Sequence, residues 1–208
     1  MDQLNRMPER ARHDLPTLHQ ILAANRVGVL SIVHEARPWS VPLLHARVGD
    51  QLILHGSTGA GALRQAAAGT EASYCVWVLD GIVVADTLFD SSATYRSAVL
   101  RGPLQVLQGA EAQDALVAMS DVLIPGRSRE VPAPTRKELA ATMTLALRIG
   151  PNNWTAAVQT DGVEEPADPS IWTGLVPVRT TYGPPLPSPW ANDVQIPDSV
   201  RALCAEPE

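Results

Sequence analysis

The sequence predicts an α+β fold in which a mostly antiparallel β-barrel carries short helices. About six segments have strand character, and these strands mostly follow one another along the chain, with short amphipathic helices between them. This order is typical of hairpin-connected sheets and not of a doubly wound sheet, where strands alternate with helices. The 208 residues are enough to bury one core. We expect a single domain over 1–208, with an N-terminal arm at 1–13 and an extended, Pro-rich tail at 183–208.

The individual elements follow from hydrophobic periodicity and from turn and capping residues. Asp14, placed just before an apolar repeat of helical spacing, is a predicted helix N-cap, and Thr135 with Glu138 has the spacing of a capping box. The predicted helices span 15–25, 60–68, 111–122 and 135–141. The predicted strands span 27–34, 39–48, 51–56, 72–79, 82–86, 95–107 and 142–149.

The turns between these elements can also be predicted from the sequence. We expect a turn over 35–38, a tight hairpin at Gly49–Asp50, and either a turn or a bulge at Asp80–Gly81. Residues 171–178 are apolar and are expected to return to the core after an acidic surface loop.

The hairpin at Gly49–Asp50 fixes the relation between two histidines. If these two residues form the loop, Val48 pairs with Gln51, and His45 pairs with Leu54. His45 and His55 then lie on opposite faces of the sheet, because side chains alternate along a strand. The two histidines are therefore not expected to bind one metal ion together.

Composition excludes several classes of function. A net charge of −6 argues against broad binding to nucleic acid or to anionic membranes, since both require a basic surface. Two cysteines do not form a disulfide framework, and the polar N-terminus lacks the apolar core of a signal peptide. We therefore expect a cytoplasmic protein.

The stretch over 52–61 is the strongest candidate for a ligand site. An apolar strand ends at His55, passes Ser57 and Thr58, and is followed by glycines and a predicted helix. Open amide groups beside a helix N-terminus favour a phosphate. The alternative is an ordinary strand-to-helix turn with a hydroxyl N-cap. The stretch lacks the spacing and the lysine of a P-loop, and no dinucleotide fingerprint follows a strand.

A series of short motifs extends over about 15–185. In order they are Ser40-Val41-Pro42-Leu43, Leu52-Ile53-Leu54-His55-Gly56-Ser57, Leu79-Asp80-Gly81-Ile82, Tyr95-Arg96-Ser97, Pro125-Gly126-Arg127 and Trp172-Thr173-Gly174-Leu175-Val176-Pro177. The ordered set resembles the pyridoxamine 5′-phosphate oxidase-like family of flavin-binding split β-barrels. The likeness is greatest to the subgroup of nitroimidazole-resistance reductases. A weaker likeness extends to the flavin-plus-haem oxidases associated with iron-only nitrogenase.

The resemblance implies a Greek-key-like split barrel and a homodimer with two flavin sites at the subunit interface. It places the Val41-Pro42-Leu43 backbone at the isoalloxazine edge, and His55, Gly56, Ser57 and Thr58 along the ribityl-phosphate end. The remaining residues implied at the site are Tyr95, Arg96, Ser97 and, from the partner subunit, Trp172.

One departure from the family pattern concerns the phosphate. Family members usually carry a basic residue shortly after the His-Gly-Ser step, where this chain has Ala60 and Gly61. Arg64 or Arg96 is a candidate replacement. Alternatively, the space accepts a larger cofactor whose phosphates bind backbone amides, which makes FAD a competitor of FMN.

Haem b is the second cofactor that the resemblance implies. His55 is a candidate axial ligand to its iron, and the alternative role for this ring is a hydrogen bond to the flavin ribityl or phosphate oxygens. His45 stands where relatives often carry an aromatic residue and is a second ligand candidate.

These features together predict a flavin-dependent oxidoreductase of the flavocytochrome type. Electrons would come from a ferredoxin- or flavodoxin-type protein or from a nicotinamide, and would pass through flavin and haem to oxygen. One alternative is a flavin-dependent reductase of small acceptors such as nitro compounds. The other is a protein that binds flavin or haem without turnover. The sequence identifies no catalytic residue.

Overall fold

The computed structural model describes residues 7–59, 61–191 and 194–205, with the backbone alone at position 62. Several sequence predictions therefore lie outside the described residues. These are positions 1–6 of the arm, Ala60 in the phosphate stretch, and 192–193 and 206–208 of the tail.

The described strands form one antiparallel sheet that curves into a split barrel, which confirms the predicted fold class. The sheet order is β1-β9-β6-β5-β2-β3-β4-β8-β7, with β10 paired to β5. The strands are β1 Ala11–Arg12, β2 Val27–His34, β3 Arg37–Val48, β4 Gln51–Ser57, β5 Glu71–Val84, β6 Ser92–Pro103, β7 Gln105–Leu107, β8 Thr142–Arg148, β9 Trp154–Gln159 and β10 Gly174–Pro177.

The helices are short and lie around the sheet. They are α1 Leu15–Ala24, α2 Gly61–Ala66, α3 Gly109–Leu123, α4 Arg136–Ala141 and α5 Asp198–Cys204. The predicted caps are confirmed: the Asp14 carboxylate accepts a hydrogen bond from the Thr17 N–H at 2.8 Å, and Thr135 and Glu138 form a reciprocal capping box. No helix in the described part of the chain is long and apolar enough to cross a membrane.

Two apolar clusters occupy the two faces of the β4 region. The larger cluster fills the barrel, where α1 buries Leu18, Ile21 and Leu22 against Leu54 and Tyr74. The smaller cluster lies outside the barrel wall under α3 and includes Ala46, Ile53, Leu107, Ala115, Met119 and Ala146. Strand β4 therefore presents alternate side chains to two different apolar layers.

The turn between β2 and β3 is shorter than predicted. Glu35 and Ala36 both have positive φ, at 49° and 60°, so these two residues alone make the hairpin. Pro38 is paired with Val33 inside β3 and is not part of the turn. Strand β3 tolerates its prolines because its N-terminal part pairs with β2 on one side only, and β4 pairs with it from His45 onward.

The sequence left two alternatives at Asp80–Gly81, and the structure has the bulge. Strand β5 continues through this step to Val84, with a register shift between Leu79 and Gly81 against β6. The single strand predicted over 95–107 is two strands, because β6 extends from Ser92 to Pro103 and Gln105–Leu107 form the separate β7. The φ of 143° at Gly102 turns the chain before β7 joins β8.

Three further predictions need correction. Strand β9 was missed, although it contains the buried Trp154 and pairs with β6. The tail was predicted to be extended, but α5 forms there, and the Glu130 carboxylate accepts hydrogen bonds from Ser199 at its N-terminus. Residues 171–178 do not return to the core, since β10 lies on the edge of β5 with Leu175 and Val176 about half exposed.

Candidate cofactor site

The β3–β4 hairpin presents the two candidate histidines to different surroundings, as predicted, with His45 on β3 and His55 on β4. His45 pairs with Leu54 and Val48 pairs with Gln51, so the predicted register is confirmed. His45 points into the barrel together with Leu54, whereas His55 points to the outer face, toward α3.

The ring of His45 is fully buried and both of its nitrogens have hydrogen-bond partners. Nε2 lies 3.0 Å from the Leu22 carbonyl oxygen, and Nδ1 lies 3.0 Å from the Tyr74 hydroxyl. Burial lowers the pKa of His45 to about 4, so the ring is neutral at physiological pH. Because the His45 ring is fully buried inside the barrel, between the Leu22 carbonyl and the Tyr74 hydroxyl, the geometry favours His55 over His45 as a ligand.

His55 has one ring nitrogen without a hydrogen-bond partner among the described residues. The ring is half-buried, its Nδ1 lies 3.3 Å from Met119 Sδ, and burial lowers its pKa and favours the neutral form. Among the described residues this sulfur is the one hydrogen-bond partner that the ring has. Nε2 is therefore the nitrogen available to a bound group.

A buried hydroxyl lies directly across from His55. Thr144 pairs with His55 in the β4–β8 ladder, so the two side chains share one face of the sheet. Its side chain is buried, and its Oγ1 has no hydrogen-bond partner among the described residues. A buried polar atom without a partner is uncommon, and this hydroxyl is a polar contact that a group bound beside His55 could use.

A cavity of about 430 Å³ opens on the same side of the sheet. Val122 and Leu123 border it one helical turn beyond Met119 on α3, and Leu44 borders it from β3. The rest of its wall comes mainly from the end of α1 and from the C-terminal segment, including Ala23, Val27, Thr181, Tyr182, Ala202 and Leu203. The lining combines these apolar side chains with the polar Asn25, Arg26 and Thr180, and His55 is not among the lining residues.

Several polar groups of the turn after β4 form hydrogen bonds within the chain. The Thr58 N–H and hydroxyl both donate to the Ala141 carbonyl, at 3.1 and 3.3 Å, and Ser57 Oγ accepts from the Gly59 N–H at 3.2 Å. Gly56 is required for packing, because a Cβ there would lie 2.3 Å from Cδ1 of the buried Leu63. Thr58 is therefore not open to a phosphate in this arrangement, although Ser57 and the glycine backbone are exposed.

The predicted isoalloxazine segment lies on β3, next to the interior network of His45. The Leu43 carbonyl accepts a hydrogen bond of 2.7 Å from the Tyr74 hydroxyl. Val41 and Leu43 are half-buried and pack against the core, while Pro42 is exposed. The backbone of this segment is therefore held from inside the barrel, with its outer side accessible.

The two candidate cations have different surroundings. Arg96 donates two hydrogen bonds to the Asp80 carboxylate, at 2.8 and 2.6 Å, and this pairing raises the pKa of Arg96. Asp80 occupies the bulge of β5, which orients its carboxylate toward β6. Arg64 is exposed on α2, so it is the better candidate for a phosphate contact.

The predicted site residues fall into two groups within one subunit. His55, Gly56, Ser57 and Thr58 lie at the end of β4, whereas Tyr95, Arg96 and Ser97 lie on β6, and the sheet order places β5, β2 and β3 between them. Trp172 is 66% exposed in the segment before β10. Its ring packs over Gly174, where a Cβ would lie 2.8 Å from two ring carbons.

Sequence reasoning missed three residues that shape the site. Met119 lies in the predicted helix 111–122, and nothing in the sequence connects that helix with His55. Thr144 was hidden inside an alternating strand, and its position opposite His55 depends on the long-range pairing of β4 with β8. Tyr74 lies in an apolar run that gave no sign of its contacts with His45 and Leu43.

Comparisons with known proteins give a consistent result. A family model described as pyridoxamine 5′-phosphate oxidase matches residues 14–157. The FAD and heme binding protein from Mycobacterium smegmatis is 39% identical, with 94% of this chain and 97% of that chain covered and a TM-score of 0.89. The flavocytochrome Anf3 from Azotobacter vinelandii is 26% identical, with 96% and 94% covered and a TM-score of 0.86.

A more distant structure shares the fold alone. A putative 5-nitroimidazole antibiotic resistance protein from Bacteroides thetaiotaomicron is 16% identical, with 70% of this chain and 84% of that chain covered and a TM-score of 0.57. No match was found among curated proteins. Because the family model covers well over half of the sequence, and a solved structure matches at 39% identity over almost all of it, the chain belongs to the pyridoxamine 5′-phosphate oxidase family of split β-barrels.

Proposed function

We propose that this protein is a flavocytochrome-type oxidoreductase that binds FAD and haem b and passes electrons from a donor to oxygen. The observation that carries the proposal is the neutral, half-buried ring of His55, whose Nε2 is left available on the face of the sheet that packs against α3. Nearly full-length similarity to an FAD and heme binding protein and to a flavocytochrome supports both cofactors.

The flavin site that we propose uses residues of two subunits. The Val41-Pro42-Leu43 backbone would contact the ring system, and Gly56 and Ser57 the ribityl-phosphate end. The exposed Arg64 is the nearby cation for the pyrophosphate, since Arg96 is already paired with Asp80. Tyr95, Ser97 and Trp172 would complete the site from the second subunit. FAD is favoured over FMN because the basic residue usual for FMN is replaced by small ones.

The haem site that we propose requires a single histidine and no cluster of metal ligands. The described residues contain no group of three or more metal-binding side chains, and an axially ligated haem needs only one histidine from this wall. His55 would supply Nε2 to the iron. The unpartnered hydroxyl of Thr144 and the cavity beside Leu44 and Leu123 are the polar and apolar surroundings that such a group would complete.

An exposed apolar surface supports the homodimer. Val27, Leu44, Trp77 and Leu79 are between 40% and 49% exposed and lie on the outer face of β2, β3 and β5. Adjacent apolar side chains of this size on one sheet face are typical of a protein–protein interface. Light scattering of the purified protein tests this: a mass of one chain would exclude a site shared between subunits.

A flavin and a haem held at this interface would together supply a two-electron acceptor coupled to a one-electron carrier that reacts with oxygen. The chain contributes binding and orientation. The Tyr74 hydroxyl anchors the Leu43 carbonyl, which fixes the proposed ring-contacting segment, and α3 holds the His55 ring through Met119. Leu44 and Leu123 would supply apolar contacts on the haem side.

Haem titration of His55→Ala tests the ligand assignment. Hemin added to the wild-type protein should give a Soret band with the spectrum of histidine-ligated haem, and His55→Ala should lose it. His34→Ala is the matched control, because it removes a histidine of the β2–β3 hairpin far along the sheet from His55. Equal haem spectra for His55→Ala and the wild type would refute the assignment.

Anaerobic reduction followed by air tests turnover. The wild-type protein should be reduced by a nicotinamide or by a reduced ferredoxin and should reoxidise rapidly in air. A protein that binds both cofactors but is reduced by neither donor would support storage or transport in place of an oxidase.

A further inference from the structure

The contact between His55 and Met119 pairs the imidazole ring with a thioether sulfur. Met119 is 2% exposed on α3, and its sulfur lies 3.3 Å from His55 Nδ1. Its position is fixed by packing against the outer cluster, whose other members are Ala46, Ile53, Leu107, Ala115 and Ala146. A flexible side chain that is this closely packed holds its sulfur at a defined place.

The chemistry of the two groups decides where the proton lies. A thioether sulfur carries no hydrogen and can only accept a hydrogen bond. A neutral imidazole has one N–H and one lone pair, so a hydrogen bond to Met119 requires the proton on Nδ1. Nε2 then carries the lone pair, which is the form that binds a metal ion.

We propose that Met119 is a positioning residue that selects the Nδ1–H tautomer of His55 and presents Nε2 as the ligand for haem iron. This inference rests on the proposed function for the identity of the ligand, but the tautomer is a property of the chain itself. Metal-binding histidines usually donate their other N–H to a carboxylate, a backbone carbonyl or a water. Here the acceptor is a thioether, and that choice has a consequence for the iron.

The consequence concerns the redox potential. A strong hydrogen-bond acceptor for the ring N–H that does not bind iron makes the imidazole more basic. A more basic ligand stabilises ferric iron and so lowers the haem reduction potential. A thioether is a weak acceptor. Met119 therefore orients the ring while leaving the haem potential higher than a carboxylate or amide oxygen at this position would.

The alternative is that Met119 only fills space under α3. Met119→Leu separates the two roles, because it keeps an apolar side chain of similar volume and removes the acceptor. Met143→Leu is the matched control, since Met143 lies on β8 next to Thr144 but packs on the inner cluster, away from His55. Met119→Gln replaces the weak acceptor with a stronger one.

The first readout needs no haem. Long-range ¹H–¹⁵N NMR spectra of the haem-free protein report the histidine tautomers, with His55→Gln used to assign the signal. We expect His55 to be the Nδ1–H tautomer in the wild type and in Met143→Leu, and to lose that preference in Met119→Leu. An Nε2–H tautomer in the wild-type protein would overturn the proposal, whether or not the variants fold.

The second readout is made on the haem-loaded protein. We expect Met119→Leu to weaken hemin binding roughly 10-fold, which is the lower end of the usual effect of removing a hydrogen-bond partner of a metal-binding histidine. We expect Met119→Gln to lower the haem midpoint potential. Unchanged affinity and potential in both variants would refute the inference. If the wild type binds no hemin, the proposed function fails, while the tautomer measurement still decides whether Met119 orients His55.

Discussion

Replacing His45 with glutamine tests how a buried neutral ring affects stability at mildly acidic pH. In the folded protein burial lowers the pKa of His45 from 6.5 to about 4. Between these two values the unfolded chain binds a proton that the folded chain does not, so the free energy of unfolding falls as the pH falls from 6.5 toward 4. At higher pH both states are neutral at this position and the effect disappears.

The size of this effect follows from the shift in pKa. For a group that titrates near 6.5 unfolded and near 4 folded, the loss of stability between pH 7 and pH 5 is about 2 kcal/mol. His45→Gln removes the titrating group, and its amide can still donate to the Leu22 carbonyl. We therefore expect the variant to lose about 2 kcal/mol less than the wild type over this range, whatever its absolute stability.

Urea unfolding at pH 7 and pH 5 measures the difference. The lower pH is chosen because it lies above 4.5 and 3.8, the ordinary pKa values of the Glu138 and Asp14 carboxyls, so that most of the stability from these lowered pKa values is still present. His13→Gln is the control, since it removes an exposed histidine and leaves the buried network intact. If the wild type and His45→Gln lose the same free energy, His45 is not held neutral by burial and the reasoning is wrong.

Two further predictions concern packing and capping. Gly28→Ala should destabilise the fold by about 2 kcal/mol or more in thermal or urea unfolding, because the new Cβ would lie 2.4 Å from the buried Tyr74 ring and 2.8 Å from a backbone carbonyl oxygen; an unchanged midpoint would contradict the geometry. Thr135→Ala should lower the free energy of unfolding by about 1 kcal/mol, because it removes the capping box of α4. Thr135→Ser should retain most of that stability. Equal losses in the two variants would assign the effect to packing instead.

Much of the fold could be predicted because its signals are local. The Asp14 cap, the capping box at Thr135 and the register of the β3–β4 hairpin depend on residues that are close in sequence. The same register is sufficient to assign His45 and His55 to opposite faces of the sheet. These features need only helix periodicity, strand alternation and turn chemistry.

The parts that could not be predicted depend on long-range contacts. Strand β9 is rich in small residues and shows little alternation, and it becomes a strand by pairing with β6. The apolar segment around Leu175 and Val176 suggested a core position, yet it lies at the edge of β5 with these side chains about half exposed. An apolar segment can be buried against another subunit as well as inside its own chain, so its sequence alone does not say which.

The candidate site shows the same division. The histidine, the glycine and the hydroxyls after β4 form one continuous stretch and could be identified from sequence. Met119 and Thr144 lie near His55 only because α3 and β8 fold against β4. Arg96 is paired with Asp80, which lies in the bulge of β5, and it is therefore a poorer candidate for a phosphate contact. Pairing of side chains that are distant in sequence was therefore the missing information.

The absorption spectrum of the freshly purified protein is the most direct test of whether it holds both a flavin and a haem. We expect flavin absorbance together with a Soret band, and FAD as the flavin released on denaturation. His55→Ala should retain the flavin absorbance and lose the Soret band. A protein that shows neither chromophore, and acquires neither after incubation with FAD and hemin, would refute the proposed function.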